Sequence, residues 1–83
     1  MTNRAHNPYS VYWASPARSI YEGTYFYGTE TAALQAAEKD NSGEVCLVTT
    51  HRTLEGARKS AESLASRTGR EFPGARTTAQ AAE

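Results

Sequence analysis

Cys46 and His51 are the pair whose residue types most invite chemistry, since a thiolate activated by imidazole is a common nucleophile–base device. Both lie in one apolar run, E-V-C-L-V-T-T-H, from Glu44 to His51. On a regular strand successive side chains alternate, so positions 46 and 51 point to opposite faces. The spacing therefore argues against a catalytic pair, and Cys46 reads as a small buried hydrophobe. One cysteine and two histidines, with no C-x-x-C or H-x-x-x-H spacing, fall short of a zinc set. A lone cysteine also leaves no internal disulfide. His6 sits in a polar start and reads as solvated. Gly23 and Gly28 are separated by bulky aromatics, and no phosphate-binding glycine loop occurs. Glu22 and Glu30 are conceivable paired carboxylates, but nothing fixes their separation. The expectation is a chain without catalytic residues, metal or cofactor.

The aromatic residues carry more signal. Tyr9, Tyr12, Trp13, Tyr21, Tyr25, Phe26 and Tyr27 all fall in the first third of the chain. Strands favour such residues, and some must fill the core. A tyrosine on a bare sheet face has an apolar body and a polar tip, which suits a protein interface. Tyr12, Tyr21, Tyr25 and Tyr27, flanked by Arg18 and Arg52, are the candidate partner-binding set. The alternative use of exposed rings is base stacking on single-stranded nucleic acid. G-T-Y-F-Y-G (residues 23–28) lacks the basic residue that opens the RNA-recognition signature, and Lys plus Arg equal Asp plus Glu at 9 each. Zero net charge disfavours a polyanion partner and leaves little repulsion between copies of the chain.

The elements that would position these residues follow from pattern. Tyr9–Ala14 reads as a strand with Tyr9, Val11 and Trp13 on one face and Ser10, Tyr12 and Ala14 on the other. Ser15-Pro16-Ala17 is a turn. Arg18–Gly28 reads as a second strand, antiparallel to the first, with Gly23 as a bulge or a break into two. Thr29–Asn41 is a short helix capped by Thr29, with Ala33, Leu34 and Ala37 inward. The run from Glu44 to Thr50 is so continuously apolar that it predicts a central or doubly covered strand. Thr53–Gly69 carries the clearest periodicity: Leu54, Ala57, Ala61, Leu64, Ala65 and Thr68 make one stripe. Thr53 caps that helix and Gly69 ends it. On its outer side Glu55 with Lys59, and Arg58 with Glu62, have ion-pair spacing. Phe72 is expected to fold back onto the core.

The fold expected is α+β: a three-stranded sheet, four if Gly23 splits the second strand, in the order β-β-α-β-α with both helices on one face. Its 83 residues make one domain, residues 9–74, between a flexible lead (1–8) and a disordered tail (75–83). The polar stretch after Met1 offers no secretory leader and nothing apolar enough to span a membrane, which leads to the expectation of a cytoplasmic chain. In size, tyrosine content and lack of catalytic residues the chain is similar to small phage-encoded proteins that inhibit a host machine, anti-CRISPR proteins among them. That resemblance implies a non-enzymatic module that binds a protein or protein complex. Binding of single-stranded nucleic acid through exposed tyrosines and arginines is the second expectation, and a homodimer joined through its sheets the third.

Overall fold

The computed structural model describes residues 7–15, 22–40, 44–71 and 76–81. The chain runs β1 (Tyr9–Ser15), β2 (Gly23–Thr29), α1 (Glu30–Asp40), β3 (Glu44–His51), α2 (Leu54–Glu71) and β4 (Arg76–Gln80). The α+β class and the order β-β-α-β-α are as the pattern predicts, with one strand added at the end. The sheet order is β3-β1-β2-β4. β1 pairs antiparallel with β2 and with β3, and β2 pairs parallel with β4. The fourth strand thus comes from residues expected to be a frayed tail, and not from a break at Gly23. The turn at 16–17, Arg18, Tyr21, Phe72 and residues 1–6 lie outside the described residues.

The helices lie on opposite faces of the sheet, which corrects the expectation of one shared face. Across β1 and β2, Val11 stands opposite Tyr27 and Trp13 opposite Tyr25, while Tyr12 stands opposite Phe26. Residues directly opposite share a face. Val11, Tyr25 and Tyr27 cluster with Ala57, Ala61 and Ala65 of α2. Tyr12 and Ala14 cluster with Ala32, Ala33 and Ala37 of α1, and with Ala81. Topology supplies the reason. β2, β3 and β4 run in one direction, with β3 and β4 at opposite edges. The step from β2 to β3 moves across the sheet one way and the step from β3 to β4 moves back. Right-handed crossovers in opposite directions require opposite faces.

Packing is a trade of ring against methyl. Both helices turn alanines inward, so their backbones approach the sheet closely, and the rings of the strands fill the layer between. Val11, fully buried in that layer, contributes about 1.5–3 kcal/mol. Trp13 and Tyr25 lie with centroids 4.8 Å apart and planes tilted by 46°. The Trp13 ring spreads over Gly23: a Cβ there would stand 2.1 Å from Cη2 and 2.6 Å from the Ala14 carbonyl oxygen. At Gly28 the φ of 155° disfavours a side chain, and Ala81 covers the position.

Both caps form as their residues imply. The Ala32 amide donates to Thr29 Oγ1 at 3.3 Å and the Gly56 amide to Thr53 Oγ1 at 3.0 Å. The Glu30 amide donates to the Pro8 carbonyl at 3.2 Å, tying the residue before β1 to the start of α1. Helix α2 continues past Gly69 to Glu71, so that glycine does not terminate it.

Candidate functional site

The tyrosines expected on a naked face are in the core. Tyr12, Tyr25 and Tyr27 are 7%, 8% and 8% exposed. A sheet with a helix on each side has no bare face to offer, and alanine-faced helices need large partners. Tyr25 Oη and Thr68 Oγ1 share a hydrogen bond of 2.9 Å, which satisfies the phenol where it meets α2. These three rings can neither dock a protein nor stack a base without unfolding the layer they fill. Tyr21 and Arg18 lie outside the described residues. Arg52 is exposed between β3 and α2.

What the sheet does expose is β3. Its apolar run predicts a central strand, yet it forms one edge of the sheet. Leu47 is 51% exposed, Val48 38%, and Cys46 is also exposed, so the cysteine is not the buried hydrophobe its composition suggests. Among the described residues no strand lies beside the outer edge of β3. Val45 packs partly against the α1-side core, and Cβ and Nδ1 of His51 lie near Gly56 at the start of α2. Edge strands normally blunt themselves with charge, proline or brevity. This one is eight residues long, with a charged residue only at its first position and His51 at its last.

β3 has one irregularity. Ser15, Ala14, Trp13 and Tyr12 stand opposite Glu44, Val45, Cys46 and Leu47, but Val11, Ser10 and Tyr9 stand opposite Thr49, Thr50 and His51. Val48 is the extra residue of a bulge. The bulge resets the alternation, so Cys46 and His51 share the α2 face after all. Their β1 partners, Trp13 and Tyr9, still lie four residues apart, about 13 Å along the strand, far beyond contact. His51 Nε2 instead meets Thr49 Oγ1 at 3.3 Å. No signal in the sequence marks the bulge.

Elsewhere the chemistry is that of a solvated surface. Arg58 bridges two carboxylates on α2: it bonds Glu55, and its Nη1 donates to Glu62 Oε2 at 3.0 Å. The pair of Arg58 with Glu62 is as spaced in the sequence; Glu55 takes Arg58 rather than Lys59. The bonded guanidinium holds the Glu55 carboxyl below its ordinary range, and the two carboxylates raise the Arg58 pKa. A cleft of about 600 Å³ at the end of α2 is lined by Arg67, Thr68, Arg70 and Glu71. Its two arginines sit beside a carboxylate at the carbonyl end of a helix, an arrangement that selects no particular ligand. Among the described residues no three His, Cys, Asp or Glu side chains group as metal ligands, and no helix is long and apolar enough to cross a membrane. The chain matches no family model, and neither a curated protein nor a solved structure matches it.

Proposed function

We propose that the chain is a non-enzymatic protein-binding module that docks through the free edge of β3. One observation carries the reading: the most apolar run of the sequence lies on an open strand edge, with Leu47 51% and Val48 38% exposed. Such an edge offers a row of main-chain donors and acceptors for strand addition, and its side chains supply selectivity. Exposed apolar side chains grouped on one element mark interaction sites more often than isolated ones do. The tyrosines belong to the scaffold in this reading, and Arg52 flanks the docking strand at its far end. Inhibition of a larger complex by occupying its own strand edge is the form of activity that suits so small a domain.

The test is capture of binding proteins by the tagged chain and by Leu47→Lys and Val48→Lys variants, each first shown to fold by its circular dichroism. Loss of capture in both, with capture retained by Lys59→Ala on α2, supports the edge. Undiminished capture by the lysine variants overturns it.

A further inference from the structure

We infer that the partner of β3 is a second copy of this chain, running antiparallel across a two-fold axis that passes between Leu47 and Val48. The two four-stranded sheets then join into one of eight strands. The inference rests on the reading of β3 as the docking edge and names its occupant.

The argument begins with the bulge. A two-fold axis normal to a sheet brings residues of the same face opposite one another. Through their β1 partners, Val45, Leu47 and Thr50 lie on the α1 face, and Glu44, Cys46, Thr49 and His51 on the α2 face. A strand of regular alternation and even length cannot match its own faces when all its residues pair with a reversed copy. Because Val48 breaks the alternation near the middle, β3 does match. Glu44 meets the partner's His51, Val45 meets the partner's Thr50, and Cys46 meets the partner's Thr49, each on a shared face. Leu47 meets the partner's Val48 beside the axis, and a bulge allows two successive side chains on one side.

The chemistry of those pairs is complementary. An acid faces an imidazole at each end. At the centre the two most exposed large apolar side chains among the described residues pair twice, once on each side of the axis. A regular foreign strand would leave one β3 residue unmatched, as β1 does, whereas a second β3 pairs all eight. The formal net charge of zero removes long-range repulsion between copies.

The register sets a covalent test. Cys46 faces the partner's Thr49, so Thr49→Cys places a thiol opposite the native one on both sides of the axis. Within one chain the two positions stand opposite Trp13 and Val11, about 7 Å apart along the strand and at the limit of the 4.4–6.8 Å that a disulfide spans between Cα atoms, so denaturing electrophoresis must separate an internal bond from a link between chains. Under mild oxidation with oxidised glutathione, Thr49→Cys should run as a covalent dimer and show an intact mass of two chains less four hydrogens. Wild-type protein and the Cys46→Ser/Thr49→Cys double variant should stay uncrosslinked, since in this register neither sets two thiols opposite one another. Light scattering of the wild type should give twice the 9.0 kDa chain mass, and Leu47→Lys should raise the dissociation constant about tenfold or more.

A wild-type monomer at every concentration overturns the inference, as does equal cross-linking of the double variant. If a wild-type monomer nevertheless captures another protein that Leu47→Lys does not, the second copy is wrong and the β3 edge survives. If the lysine variants lose neither dimer nor capture, both fall.

Discussion

Gly23→Ala is the substitution whose outcome most directly tests how the sheet packs. In an ordinary strand interior, replacing glycine by alanine gains roughly 0.5–1 kcal/mol, because glycine has more backbone freedom to lose. Here the added Cβ would stand 2.1 Å and 2.5 Å from two Trp13 ring atoms and 2.6 Å from the Ala14 carbonyl oxygen. The ring cannot tilt away freely, since its other contacts include Tyr25 at a centroid distance of 4.8 Å. Forced overpacking costs about 1–3 kcal/mol, which outweighs the backbone gain. A net loss of about 1–2 kcal/mol is expected, and in a domain of this size it lowers Tm by roughly 4–16 °C. Urea and thermal unfolding followed by far-ultraviolet circular dichroism, at one fixed protein concentration, measure it. Repeating the exchange in a Trp13→Leu background should shrink the penalty without abolishing it, because the Ala14 carbonyl stays in place. The coupling should be about 0.5 kcal/mol or more. A Gly23→Ala protein as stable as its parent, or an equal penalty in both backgrounds, would refute the contact of Trp13 with Gly23.

Truncation after Glu71 removes β4 and Ala81 and should abolish cooperative unfolding or lower Tm severely; a silent truncation would mean that residues 76–81 do not complete the sheet. Gly28→Ala forces a side chain onto a φ of 155° against Ala81 and should cost about 1–3 kcal/mol in urea unfolding. Tyr25→Phe removes the bond to Thr68 and should cost about 0.5–1.5 kcal/mol, whereas removing the whole ring should cost about 3–5 kcal/mol. Equal losses would place the ring outside the core.

Much of this architecture is legible from residue order. Alternation in Tyr9–Ala14 assigns every side chain of that strand to its observed face, and the α2 stripe names its buried alanines. Where the sequence misleads, the causes are physical and separate. β4 (R-T-T-A-Q) has no large apolar side chain, so no pattern marks it; parallel main-chain pairing with β2 holds it, with Thr24 and Thr77 hydroxyls 3.1 Å apart. Without β4 nothing forces the chain to recross the sheet, and one shared helix face looks sufficient. The tyrosines could have been placed by volume. Helices whose fully covered side chains are Ala32, Ala33, Ala37, Ala57, Ala61 and Ala65, with Leu34, Leu54 and Leu64 only partly buried, cannot make a core unless the sheet supplies the bulk. The exposure of β3 was the hardest to foresee, because an apolar run on an edge and one in a sheet centre look alike until a partner is counted.

Trp13 is the only tryptophan of the chain, and it borders the cluster under α2 and not the one under α1. Its emission therefore watches one storey of a two-storey building. Loosening of α1 from Tyr12 and Ala14 would pass unseen in fluorescence while dichroism recorded a melting helix. Superimposable curves from the two signals would mean that the floors share a single structural frame and come down together.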